Sequence, residues 1–335
     1  MLKELNRSRL FYCVALLCCF AATLFVSCGE QSGQESTEEY PSRPITIICP
    51  WASGGGTDTV SRITAEGLRQ VLGTRVNVVN QTGGAGVAGH SAGAQAKPDG
   101  YTLTMITAEL CMMHWRGLTD IGPSDFAPIM VMNKVSGALF VHADAPWKTM
   151  VDLKNAVEQN PGKYTASGTA KGGIWHLACA AWLIAADFEP NALIWVPSKG
   201  AAPALQQLIS EGNDVVFCAP GEGKALVDAG KVRMLAVQSS ERNPFFPDVP
   251  TCKEQGVDVE IYGWAGIAAP TGSPPEILSL LGTALQEVAT SGDFKTRMNN
   301  AGFNVSTENS TEFQKILKED DEKFGKLLKE AGITQ

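Results

Sequence analysis

From residue 45 onward, short apolar runs alternate with longer segments whose apolar positions recur every three or four residues. Runs rich in β-branched side chains predict strands at 45–49, 76–80, 102–106, 129–132, 138–142, 163–166, 193–196, 215–218 and 234–237. Between them, helical patterning predicts helices from about 58, and over 87–96, 150–159, 173–186, 201–211 and 221–228. The last third reads as helical. Ser273-Pro274-Pro275-Glu276 has the form of a capping box opening a helix that runs to about 291, and 309–331 forms a final amphipathic helix ended by Gly332. Strand and helix in alternation predict an α/β protein, and 335 residues without an internal repeat suit two domains.

The start of the chain follows a different pattern. Lys3, Arg7 and Arg9 precede seventeen residues, 10–26, in which only Thr23 is polar. A membrane-spanning helix needs about 20 apolar residues, so this run reads as an export signal over 1–27. It ends in Leu24-Phe25-Val26-Ser27-Cys28, which has the form of a bacterial lipobox with Phe25 at a position that favours Leu. Cys28 is the expected lipidation site; a short membrane helix with an incidental cysteine is the alternative. Residues 28–42 are polar and acidic, the composition of a flexible tether of roughly 20 Å. The expected location is extracytoplasmic, with the chain held to the membrane by a lipid anchor.

Composition removes several classes of function. Apolar residues make up 44% of the chain, a globular proportion, and the net charge is −8. Residues 1–27 carry three bases and one acid, so the remainder is more acidic still. Without a basic stripe there is no footprint for nucleic acid. His90, His114, His142 and His176 share no ligand spacing, so neither a metal nor another cofactor is expected. Cys49, Cys111, Cys179, Cys218 and Cys252 remain beyond the leader, widely spaced and odd in number. At least one stays free, Cys49 and Cys218 read as core residues, and one pair among the others is open.

Three glycine-rich motifs invite a catalytic reading. Gly84-Ala85-Gly86-Val87-Ala88-Gly89 is a literal G-x-G-x-x-G, but it follows the second strand instead of the first, so close packing of a helix on the sheet accounts for it better than a dinucleotide does. Gly89-His90-Ser91-Ala92-Gly93 spells the G-x-S-x-G of a serine hydrolase. Ser91 should, however, already lie inside a helix, and no histidine follows His176. The third motif is Trp51-Ala52-Ser53-Gly54-Gly55-Gly56-Thr57-Asp58, directly after the first strand. It lacks the Gly-Lys-Ser/Thr of a nucleotide-binding loop. It offers instead a row of backbone N–H groups at a helix N-terminus, a ready cradle for a carboxylate, with an ordinary βα turn capped by Asp58 as the plainer alternative.

The same turn opens a wider resemblance. Pro44-Ile45-Thr46-Ile47-Ile48 leading into the glycines and Asp58, then 79–86 (VNQTGGAG), 97–103 (KPDGYTL), 125–128 (DFAP), 164–168 (YTASG) with His176-Leu177, 199–205 (KGAAPAL), 246–251 (FPDVPT), 264–266 (WAG) and 269–274 (APTGSP) occur in order. This set resembles the substrate-binding proteins of tripartite tricarboxylate transporters, the TctC or Bug receptors, across residues 43–335. The resemblance implies a type II periplasmic-binding-protein fold: two α/β lobes joined by two crossovers around a ligand cleft. Lobe 1 would comprise 43–140 and 242–335, and lobe 2 would comprise 141–241.

The resemblance also implies a function without chemistry. The chain would be a monomeric receptor, not an enzyme, capturing a small organic acid (a di- or tricarboxylate, an aromatic acid or similar) for membrane permease subunits of such a transporter; a sensor protein as partner is the alternative. One carboxylate would lie between the turn after the first strand and a second glycine-rich turn, Ser167-Gly168-Thr169-Ala170-Lys171-Gly172-Gly173, with a helix N-terminus behind each. Around this clamp, Trp51, Trp175 and Trp264 could form an apolar wall, Lys199 with Gly200 could meet a second carboxylate, Asp58 could read a ligand ammonium, and His176 sits beside the glycines.

Overall fold

The computed structural model describes residues 40–334. The chain forms two five-stranded mixed sheets. The first contains β1 (Ile45–Cys49), β2 (Val76–Asn80), β3 (Thr102–Thr107), β4 (Phe126–Ser136) and, after a long excursion, β10 (Tyr262–Pro270), in the order β2-β1-β3-β10-β4. The second contains β5 (Ala138–His142), β6 (Tyr164–Ser167), β7 (Leu193–Trp195), β8 (Val215–Cys218) and β9 (Val232–Val237), in the order β7-β6-β8-β5-β9. In each sheet the first three strands of the order are parallel and the fourth runs antiparallel to both neighbours. The two lobes therefore repeat one topology, β6 standing where β1 stands and β8 where β3 stands.

Helices connect the strands: α1 (Gly56–Leu72), α2 (Val87–Ala94), α3 (Met150–Gln159), α4 (Ile174–Ala185), α5 (Ala201–Ile209), α6 (Pro220–Asp228), α7 (Pro275–Thr290), α8 (Gly292–Asn300) and α9 (Ser310–Glu330). Most begin where the apolar pattern places them. α1 and α4 start directly after glycines, Gly55 and Gly173, which cap with extended backbone and no side-chain bond. α9 is capped by Asn309, whose side chain accepts from the N–H groups of Thr311 and Glu312. It packs against β4 of the first lobe and also against α4 of the second, so its buried Phe313, Leu317, Phe324 and Leu328 tie the lobes together. No helix among the described residues is long and apolar enough to cross a membrane.

The structure corrects the sequence pattern at several points. β10 lies in the last third of the chain, where the sequence pattern predicts helix. Its sequence, YGWAGIAAP, is poor in β-branched residues because neighbours press on it. A Cβ on Gly266 would lie 2.4 Å from the Phe313 ring, so only glycine admits that ring. Ser273 does not cap α7; its hydroxyl donates to the Pro270 carbonyl, and Pro274 occupies the cap position. α8 was not foreseen, although Ser291 caps it by accepting from the Phe294 N–H. β5 joins the second sheet from Ala138 onward, which sets the first crossing at Gly137, ahead of the expected divide at 140.

The expected tether 28–42 ends earlier than its composition suggests. Tyr40 is buried, donates its hydroxyl to the Gly100 carbonyl at 2.7 Å, and packs its ring on Tyr101. Residues 1–27, Cys28 and the tether up to residue 39 lie outside the described residues. All five cysteines of the described chain are free and buried, so the one pairing left open does not form.

Candidate functional site

The C-terminal ends of β1, β3, β6 and β8 face each other across the two lobes, and the turns leaving them enclose a cavity of about 190 Å³. This is where an open α/β sheet offers ligands a place, outside the carboxyl ends of its strands. Four helices begin at the cavity. Gly56 and Thr57 open α1, Ile174 and Trp175 open α4, Ala201 to Pro203 open α5, and Ala219 with Glu222 belongs to the start of α6. Each helix N-terminus carries a partial positive charge of about half a unit, and its first N–H groups have no partner inside the helix.

Not all of these donors are open, and that decides the site. In the turn after β1, the Gly54 N–H donates to Asp58 Oδ2 at 2.9 Å, and the Gly55 N–H to the Ala52 carbonyl at 3.3 Å. The N–H groups of Ser53 and Thr57 find no acceptor among the described residues. In the turn after β6 the Gly172 N–H donates to His176 Nδ1 at 2.8 Å, the Gly173 N–H to the Ala170 carbonyl at 3.0 Å, and the Ile174 N–H to Glu109 Oε1 at 3.2 Å. Three donors of the expected second cradle are thus taken within the protein, while the N–H groups of Thr169 and Trp175, which line the cavity, meet no acceptor among the described residues. Further open donors in the second lobe lie at the start of α5, where the N–H groups of Gly200, Ala201 and Ala202 meet no acceptor among the described residues and Lys199 stands beside them.

The candidate residues divide accordingly. Trp51, Ala52, Ser53, Gly54, Gly55, Gly56, Thr57, Thr169, Trp175, Lys199, Gly200 and Trp264 line the cavity. Asp58 does not. Its carboxylate is 3% exposed and accepts from Gly54, from Asn80 Nδ2 at 2.8 Å and from Arg62 Nε at 3.0 Å. Burial works to raise this carboxyl, but the bonds from Arg62, Gly54 and Asn80 outweigh it and hold the group below its ordinary value. A carboxylate so fully engaged is a cap and has nothing left for a ligand ammonium.

Ser167, Gly168, Ala170, Lys171, Gly172, Gly173 and His176 also lie off the cavity. Ser167 donates to the Val196 carbonyl, and Gly168 is pressed against β8, where an added Cβ would lie 2.2 Å from the Phe217 carbonyl oxygen. Lys171 is exposed to solvent. His176 stacks on Trp195 at 4.4 Å. Burial, aided by Lys171 and Arg116, drives its pKa down to about 3, so the neutral ring accepts from Gly172.

Two acids line the cavity that the sequence did not single out. Glu109, two residues past β3, is 5% exposed and bridges the lobes through Ile174. Burial raises its carboxyl above the ordinary value against the hydroxyl of Thr107 at 2.6 Å, the Ile174 N–H and the field of Arg116. Glu222, four residues past β8, accepts from the Ala219 N–H at 3.0 Å. Burial pushes it up to about 7, and the charge of Glu109 adds to the rise, while bonding to Ala219, the Trp175 indole and the Gly56 N–H works against it. Their one legible signal was position, each just beyond the C-terminal end of a buried strand. Asn133, Val135, Ile174 and Phe303 complete the wall from distant elements, with no local signature.

The two motifs that resembled enzymes have other work. Gly89 and Gly93 let α2 lie on the sheet: a Cβ on Gly89 would meet Pro50 at 2.5 Å, and one on Gly93 would meet Thr104 at 2.0 Å. Ser91 sits within α2. Among the described residues no cluster of side chains could hold a metal ion.

Comparison with known proteins agrees with this architecture. Residues 60–333 match the family described as "Tripartite tricarboxylate transporter family receptor". An Agrobacterium vitis protein encoded between ttuE and ttuC' is 32% identical over 255 residues, covering 75% of this chain and 73% of its own. The periplasmic binding protein BugD superposes with a TM-score of 0.81 at 30% identity, covering 88% of this chain and 99% of that one. An R. palustris protein solved with adipate gives 0.82 at 27% identity, covering 88% and 98%. The two-lobed fold, the cleft and the relatives agree: this chain belongs to the tripartite tricarboxylate transporter receptor family, whose members are extracytoplasmic solute-binding receptors and not enzymes.

Proposed function

We propose that this protein captures a small carboxylate in the cleft between its lobes and delivers it to membrane permease subunits of a tripartite tricarboxylate-type transporter, while lipid on Cys28 keeps it at the outer face of the membrane. The observation that carries the reading is the convergence of open N–H groups from both lobes on one cavity: Ser53 and Thr57 from the first, Gly200 to Ala202 from the second. Charge-assisted bonds of this kind contribute about 1.5–3 kcal/mol each. They also let an acidic protein hold an acid, because fixed dipoles act locally where net charge does not.

Gripping the ligand from both lobes links binding to closure of the cleft. The walls of Trp51, Trp175, Trp264 and Phe303 favour an acid with an apolar body, and the adipate-bound relative supports a carboxylate of that size. A thermal-shift screen over mono-, di- and tricarboxylates, aromatic acids and amino acids tests the reading. It expects at least one acid to raise the unfolding midpoint in proportion to the logarithm of its concentration. A flat response to every acid contradicts it.

A further inference from the structure

Glu109 and Glu222 are taken up within the protein, and the pattern of their bonds is reciprocal. Glu109 follows β3 in the first lobe and accepts at 3.2 Å from the N–H of Ile174, the first residue of α4 in the second lobe. Glu222 follows β8 in the second lobe and accepts from the N–H of Gly56, the first residue of α1 in the first lobe. A Cβ added to Gly56 would lie 3.1 Å from Glu222 Oε1, so glycine lets the carboxyl come this close. β8 stands where β3 stands, and α4 follows β6 as α1 follows β1. Each lobe thus sends the acid beyond one equivalent strand onto the equivalent helix start of the other lobe. In both helices the next N–H, that of Thr57 or Trp175, is left open to the cavity.

A second observation sets the lobes in contact at both bonds. One residue before Glu222, the start of α6 meets the loop after α8: a Cβ on Gly221 would lie 2.2 Å from the Gly302 carbonyl oxygen. Backbones approach this closely only where no side chain intervenes. Two residues before Ile174, the Gly172 carbonyl accepts from Arg116 Nη1 at 3.5 Å. Both contacts cross from one lobe to the other, and each lies beside one of the two bonds.

We infer that Glu109 and Glu222 form one reciprocal clasp between the lobes, so that closure of the cleft is driven in part by the protein's own carboxyl groups and not by the ligand alone. Parting the lobes strips Ile174 and Gly56 of their acceptors together, because both bonds span the same opening. A carboxyl keeps an acceptor oxygen whether or not it is ionised, so glutamine can stand in for either acid. The clasp makes no demand on which solute the cleft takes, and it stands apart from the carboxylate reading above.

Amide hydrogen exchange, read by NMR on the purified full-length protein in detergent with no acid added, tests the clasp. In the wild type the amides of Ile174 and Gly56 should both exchange slowly. Glu109→Ala should speed exchange at Ile174 about ten-fold and, across the cleft, at Gly56 by about as much. Glu222→Ala should do the same from the other side, and it decides the matter if Glu109→Ala does not fold. Glu109→Gln and Glu222→Gln should keep both amides within about two-fold of the wild type. Faster exchange confined to the amide facing the substituted residue would overturn the inference, since each acid would then be a local cap. Unchanged exchange at both amides would overturn it too, as would equal losses in the alanine and glutamine variants, which trace the effect to packing. None of these outcomes bears on whether an acid binds, which the thermal-shift screen decides.

Discussion

The turns after β1 and β6 occupy equivalent places in two lobes of one topology, yet they end in different states. Each follows a parallel strand, is rich in glycine and leads into a helix N-terminus. Around the first, Asp58 takes the Gly54 N–H and leaves Ser53 and Thr57 facing the cavity. Around the second, His176, the Ala170 carbonyl and Glu109 take the three N–H groups nearest the helix. Topology offers N–H donors at both turns, but local acceptors decide how many stay open. In the second lobe three are taken, and the start of α5 adds open donors to the same cavity.

The largest test of this contrast is steric. Gly168→Val in the second turn should cost about 3 kcal/mol or more, because its Cβ is driven into the Phe217 carbonyl oxygen of β8. Gly55→Ala in the first turn should change stability by less than about 1 kcal/mol, since its nearest neighbour would lie 3.3 Å away. Urea denaturation measures both. Equal losses would mean that the two turns play the same part.

Much of this was legible in the chain. The strands at 45–49, 76–80 and 215–218 and the first turn announce themselves through runs rich in β-branched residues and three adjacent glycines. Which donors of the second turn stay open is not legible in the chain, for a physical reason. Glycine content shows where N–H groups can be reached, not whether another residue already accepts from them. Glu109 is 65 positions from Ile174 in sequence, so its bond to that N–H depends on how the lobes close. β10 escaped notice because Phe313, far along the chain, selects its small residues.

The next largest effect concerns the donors at α5. Ala202→Asp sets a carboxylate at that helix start, where it should satisfy the N–H groups and repel an acid. Affinity for the acid selected by the thermal-shift screen should fall at least 100-fold, roughly 2.7 kcal/mol, with the unfolding midpoint of the unliganded protein held or raised. Retained affinity would remove α5 from the site.

An intermediate effect follows from the closure of the second turn by a neutral histidine. The folded chain resists protonating His176 down to about pH 3, whereas an unfolded histidine takes up its proton near 6.5. Stability from this group is therefore fully present above pH 6.5 and is lost as pH falls toward 3. His176→Phe should flatten that acid loss relative to the wild type by about 2 kcal/mol at pH 4, read from denaturation at several pH values. His90, whose pKa burial lowers to about 4, contributes a similar slope that cancels in the comparison. Parallel curves would mean that His176 is not the acceptor closing the turn.

The smallest effects compare two lysines. Lys199→Met should weaken acid binding about ten-fold, the loss of one charge-assisted contact. Lys171→Met, on the exposed part of the closed turn, should change affinity less than about two-fold. A reversal of that order would return the grip to the second turn.

Amide chemical shifts during titration with the acid found in the screen show which donors meet the ligand. The backbone N–H signals of Ser53, Thr57, Gly200, Ala201 and Ala202 should move downfield as the acid binds, while those of Gly172 and Gly173 hold their positions. Large downfield shifts at Gly172 and Gly173, with the start of α5 unmoved, would contradict this.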